Sequence, residues 1–89
     1  MEFEIFIAST DEEINSCFPV FKELRPKIDF ETLLPQVRRQ ERQSYKVLAL
    51  RLNGEIKSVA GFRLCEFLAW GKILYIDDLS TLASARGHG

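Results

Sequence analysis

Two stretches near the C-terminal end carry side chains able to do chemistry. Asp77 and Asp78 stand side by side in the otherwise apolar run Leu74-Tyr-Ile-Asp-Asp-Leu79, and a carboxylate so placed can take a proton from a reacting group. Further on, Arg86, Gly87, His88 and Gly89 form a small, basic, glycine-rich end. Glycines let backbone amides approach a phosphate closely and an arginine adds charge, so this end fits an anion site. The helix whose positive end would complete it would begin beyond Gly89. His88, the only histidine, titrates near neutrality in the ordinary case, but among glycines it is expected to lend only its amide. No second His or Cys stands near it, so no metal site is expected.

The carboxylates admit two readings. They can cap a strand end or bind local amides, or one can serve a reaction. Successive strand residues face opposite sides, so at most one of Asp77 and Asp78 can point into a cleft, and Asp78 is preferred. Tyr45 and Tyr75 lie in strand patterns and read as packing groups.

The elements that must position these groups are legible in the periodicity. Phe3, Ile5 and Ile7 alternate with Glu2, Glu4 and Phe6, the period-two pattern of a strand with one face buried. Thr10, followed by Asp11, Glu12 and Glu13, supplies a capping box and acids at the positive end of a helix. Ile14, Cys17, Phe18, Phe21 and Leu24 then form an apolar stripe, which Pro19 should bend near Asn15 before Pro26 helps to end it. Asp29 or Thr32 can cap a second helix with the stripe Phe30, Leu33, Leu34 and Val37. Its basic tail, Arg38, Arg39, Arg42 and Lys46, reads as a solvated face that complements the macrodipole.

From Tyr45 the period becomes two, and Asn53-Gly54 supplies the positive φ angles of a tight hairpin turn. A third strand runs from Glu55 to about Phe67, and Trp70-Gly71 returns the chain into a fourth, Lys72 to Leu79. Gly61, inside the third strand, marks a bulge or a close approach of another backbone or a ligand, with the bulge preferred. The fold class that follows is α+β, an antiparallel four-stranded sheet in order 1-2-3-4 with two helices after strand one.

Composition sets the outer bounds. Eighty-nine residues, 46% hydrophobic and 28% charged, describe one domain over residues 1–89. Twelve Lys and Arg against thirteen Asp and Glu leave a net charge of −1, which gives no field to draw nucleic acid or an anionic membrane. The basic cluster on the second helix lacks interleaved aromatics, so nucleic-acid binding is not expected. Cys17 and Cys65 lie far apart among apolar neighbours and read as buried thiols. The start, MEFEIF, lacks the charged lead and long apolar run of a signal peptide, and no stretch approaches the ~18 apolar residues of a membrane span. A cytoplasmic protein is the default expectation.

The order strand, two helices, antiparallel meander resembles the GNAT superfamily of acetyl-coenzyme A dependent N-acetyltransferases. Cys17-Phe-Pro-Val-Phe-Lys-Glu-Leu-Arg-Pro26, Val59-Ala-Gly-Phe-Arg63 and Leu74-Tyr-Ile-Asp-Asp-Leu79 look like segments of one bacterial subgroup. The superfamily's acetyl-CoA motif, Q/R-x-x-G-x-G/A, is matched in part by Arg86, Gly87, His88 and Gly89, its last two positions being absent. The resemblance implies a pantetheine arm hydrogen-bonded to strand-four backbone at Leu79, Ser80 and Thr81, with the pyrophosphate held by the amides of Arg86 to Gly89. It implies acetyl transfer to a small-molecule or peptide amine, with Asp78 or Asp77 as the nearby carboxylate.

The superfamily's usual acid, a tyrosine on a later helix, would fall beyond Gly89, so the lone chain is expected to be inactive. Two partners are consistent with that expectation. One is a completing C-terminal half. The other is a second copy joined through the edge of strand four, which would make the chain a dimerisation module derived from a GNAT fold.

Overall fold

The computed structural model describes residues 2–82. Strands β1 (Phe3–Ile7), β2 (Tyr45–Leu52), β3 (Glu55–Phe67) and β4 (Gly71–Thr81) form one antiparallel sheet in order β1-β2-β3-β4. Between β1 and β2 run three helices, α1 (Asp11–Ser16), α2 (Phe18–Leu24) and α3 (Phe30–Glu41). All three contribute to a core on one face of the sheet, where Ile14, Cys17, Val20, Phe21, Leu33 and Val37 meet Tyr45, Val47, Ala49, Ile56 and Val59.

The helix predicted to bend at Pro19 is divided instead. Proline has no amide and its ring displaces the carbonyl four residues back, so Cys17 serves as both the last cap of α1 and the first of α2, with Pro19 in the first turn of α2. The 3₁₀-type bonds Cys17 N–H to Ile14 O, 3.0 Å, and Val20 N–H to Cys17 O, 3.1 Å, mark the break. It also brings Val20 into the core, a residue the single-helix stripe leaves out.

At the start of α1 the expected capping box is present. Thr10 Oγ1 accepts from Glu13 N–H at 3.1 Å, while Glu13 Oε1 accepts from Thr10 N–H and Ser9 N–H, each at 3.0 Å. Those amides hold the Glu13 carboxyl below its ordinary 4.5. A depressed native pKa stabilises the fold above the unfolded-state value, and that contribution disappears as pH falls through the native value. Thr10→Ala, which removes the acceptor of the Glu13 N–H, should cost about 1 kcal/mol, as loss of a helix cap does. The stability difference between Glu13→Gln and the natural chain should shrink as pH falls below 4.5, as read from urea midpoints at pH 6 and pH 3. A difference independent of pH would remove Glu13 from the cap.

Helix α3 is entered at Asp29, whose N–H reaches Thr32 Oγ1 at 3.4 Å while that hydroxyl donates to Asp29 O at 2.9 Å. In its basic tail, Arg38 ties α3 to α1 by bonding Asp11 at 2.6 Å and Ser9 O at 2.9 Å. Two features of the meander matter for the site. Asn53 (φ 50) and Gly54 (φ 83) make the predicted hairpin turn. A register shift between Gly61 and Phe62 leaves Asp77 as an extra residue in β4, since Gly61 pairs with Asp78 and Phe62 with Ile76.

Two expectations are corrected. Phe3, Ile5 and Ile7 do not face the helices; they are 65%, 59% and 41% exposed, and it is Phe6 and Ala8 that meet the core. Both faces of the sheet are apolar, as in sheets covered on both sides, so alternation in β1 alone leaves open which face the helices take. Cys65, read as buried, is partly exposed, whereas Cys17 is buried with its thiol pushed up to about 11 by burial. A thiol reagent at pH 8 should therefore label Cys65 in the folded chain and reach Cys17 only on unfolding. Equal labelling rates would place Cys17 outside the core.

Candidate functional site

The site grows from the bulge in β4. In a regular strand Asp77 and Asp78 would point to opposite faces, but the extra residue lets both reach the helix-covered side. There Asp78 Oδ1 accepts from Arg25 of the α2 C-terminus and Asp78 Oδ2 from Tyr45 Oη, each at 2.9 Å. Asp77 Oδ2 accepts from Arg63 Nε at 2.6 Å. The Arg63 guanidinium also bonds Gln43 Oε1 at 2.6 Å and lies 5.5 Å from the Tyr45 ring centroid. Asp77 Oδ1 is buried and has no hydrogen-bond partner among the described residues.

Tyr45 sits at the centre. Its ring is buried in the core, and burial, followed by the charge of Asp78, raises its hydroxyl well above the usual phenol range. It therefore stays protonated and donates to Asp78. The sequence reading placed Tyr45 as a packing group; it packs and also holds a carboxylate, a role invisible in a pattern where its partner is 33 residues away. Gly61, on the strand beside the ring, meets the bulge reading, but its close neighbour is a side chain rather than another backbone or a ligand. It borders the bulge, and a Cβ there would overlap the Tyr45 hydroxyl and ring.

Asp78 and Tyr45 are among the residues lining a cleft of about 340 Å³ between α2, α3 and the sheet, together with Arg25, Lys27, Leu33 and Val37. Asp77 is not among the lining residues, so one of the two carboxylates faces this cleft although both lie on the same side. The remaining candidates separate. Leu79 is 64% exposed on the uncovered face, Ser80 is buried on the helix side, and Thr81 Oγ1 lies 2.9 Å from Ser58 Oγ.

Ser80 O accepts from Ser58 Oγ at 3.0 Å and Leu82 N–H donates to Lys57 O at 2.7 Å, so these two backbones turn toward β3. Strand alternation then turns the backbone of Leu79 away from β3, toward the outer edge of the sheet. Arg86, Gly87, His88 and Gly89 lie outside the described residues. Among the described residues no helix is long and apolar enough to cross a membrane.

Similarity to known proteins agrees with this architecture. No protein-family model matches the chain. It is 32% identical over 82 residues to the uncharacterized N-acetyltransferase YhdJ of Bacillus subtilis (strain 168), covering 91% of this chain and 58% of that protein. Among solved structures, a GNAT family acetyltransferase of Staphylococcus aureus superposes with a TM-score of 0.84 at 15% identity, over 100% of this chain and 69% of that one. The ribosomal-protein-alanine N-acetyltransferase of Brucella melitensis biovar Abortus 2308 gives 0.82 at 13% identity, over 99% and 62%. An acetyltransferase of Trypanosoma brucei gives 0.78 at 17% identity, over 99% and 66%. This chain thus spans about three fifths of the curated relative's length. Its strand, helices and antiparallel meander thus form the GNAT acetyltransferase fold in part, and its sequence is similar to that of an N-acetyltransferase.

Proposed function

We propose that this chain supplies the sheet edge and the acceptor side of an acetyl-CoA dependent N-acyltransferase. The observation that carries the reading is the outward backbone of Leu79 on the outermost strand, immediately after the bulge that bears Asp77 and Asp78. A pantetheine arm has amides that can add to such an edge as a further strand does. Leu79, Ser80 and Thr81 are the segment it would follow, and Arg86 to Gly89 would hold the pyrophosphate.

When bound, acetyl-CoA supplies the acetyl thioester. The chain's own part is to receive the amine and manage its proton. An amine attacks only when neutral, and Asp78, which lines the cleft, is placed to take its proton. Each Asp78 oxygen already accepts one bond, from Arg25 or Tyr45, and a carboxylate oxygen has room for a second. Tyr45 and Arg25 thereby fix the direction of the carboxylate. Asp77, bound to Arg63, balances that guanidinium rather than facing the cleft. Protonation of the departing thiolate needs an acid that we place in a completing segment, so the lone chain is proposed to bind without turnover and to act in the cytoplasm.

A second reading is favoured by the uncovered face, where Phe3, Ile5, Leu64, Leu74, Ile76 and Leu79 are all exposed. An apolar face of this extent favours association, so the chain could act as a homodimerising module without catalysis. Calorimetric titration of acetyl-CoA into the chain, with light-scattering mass on the same sample, separates the two. Saturable binding is the expected result. No binding with a dimeric mass would favour the module, and no binding by a monomer would overturn both.

A further inference from the structure

We propose that the cleft between α2, α3 and β4 receives an amine that also carries an anionic group, a carboxylate or a phosphate. This rests on the reading of the chain as the acceptor side of an N-acyltransferase and names the substrate class of that site. The volume, about 340 Å³, suits a small molecule rather than a macromolecular surface. Leu33 and Val37 give it an apolar lining, and Asp78, Tyr45, Arg25 and Lys27 are among the polar groups that line it.

The charges in this cleft do not cancel. Arg25 and Lys27 against Asp78 is two positive charges against one negative, a balance of +1. Arg25 is already bound to Asp78 at 2.9 Å. Lys27 is exposed and has no ion pair or side-chain hydrogen bond among the described residues. A simple ammonium entering the cleft would find its one carboxylate already matched and a second cation opposing it. A molecule bearing both charges meets a complementary group for each, its ammonium at Asp78 and its anion at Lys27, both of which line the cleft. Complementarity of this kind selects among ligands more than it adds raw affinity.

The test uses the full ¹⁵N-labelled chain without coenzyme and follows the backbone amide resonances of Lys27, Ile28 and Asp78. Four probes are titrated: L-leucine and O-phosphoethanolamine, which carry both charges, and L-leucinamide and ethanolamine, which carry only the amine. At least one of the first pair is expected to saturate the shifts, with its amine-only analogue at least about tenfold weaker, and leucine or phosphoethanolamine alone would identify the anion as carboxylate or phosphate.

Lys27→Gln, an exposed position whose spectrum reports folding directly, should weaken the charged probe about threefold to fivefold, the upper range for a solvent-exposed pair. Lys27→Arg should restore it. Equal binding by the amine-only probes, wild-type affinity in Lys27→Gln, or no perturbation of these resonances by any probe would overturn the proposal. Because no acetyl-CoA is present, a failed coenzyme titration and a failed acceptor titration are distinguishable results.

Discussion

Gly61→Ala is expected to lower the stability of the chain by about 1–3 kcal/mol, the ordinary cost of forcing extra atoms into a packed core. The backbone of Gly61 is not in the left-handed region, so alanine meets no conformational penalty there. On entropy alone it would stabilise by about 0.4–1 kcal/mol. The loss comes from Tyr45, whose ring carbons Cζ and Cε1 would lie 2.6 and 2.8 Å from the new Cβ, with the hydroxyl closer still. Tyr45 is 3% exposed and its hydroxyl is held by Asp78, so the ring can yield only by leaving its hydrogen bond or displacing the core. For a domain of this size each kcal/mol moves the melting temperature by about 4–8 °C. Removing the nearest atom by Tyr45→Phe should relieve part of the strain, giving a double mutant less damaged than the two single losses added. Unchanged melting of Gly61→Ala would show that Tyr45 does not lie against β3.

Asp78→Ala is the second large effect, with an expected loss of about 1–3 kcal/mol, because the buried Tyr45 hydroxyl is left without its acceptor. The Arg25 contact contributes little to this figure. That side chain is 57% exposed, and a solvated ion pair is worth about 1 kcal/mol at most. Asp78→Asn keeps an oxygen for the hydroxyl and should cost less. Tyr45→Phe with Asp78→Ala removes both partners and should recover much of the loss, a coupling that a urea denaturation cycle measures directly. Equal losses for the asparagine and alanine variants would mean that the Tyr45 bond contributes nothing. Against a total of about 4–13 kcal/mol for a domain of this length, such losses are a large share, so the carboxylate proposed for proton transfer also serves the fold.

The local features were legible because their causes are local. The capping box at Thr10, the Asn53-Gly54 turn and the alternation from Tyr45 each depend on residues a few positions apart. The order of the sheet follows from short connections between consecutive antiparallel strands. These features determined the sheet, the helical connection and the place of the carboxylates in β4.

Three matters were decided only in three dimensions. The buried side of β1 could not be read because both faces of the strand are apolar, and the choice belongs to the helices that dock on Phe6 and Ala8. Cys17 became a boundary between two helices rather than a bend, where a proline and a tightened turn met the demand of packing Val20. Above all, the bulge at Asp77 gathered both carboxylates on one face and joined Asp78 to Tyr45 and Arg25 across 33 and 53 positions. Periodicity records which side a regular strand presents, but a single inserted residue resets that record, and only the packing of the neighbouring strand shows where the insertion falls.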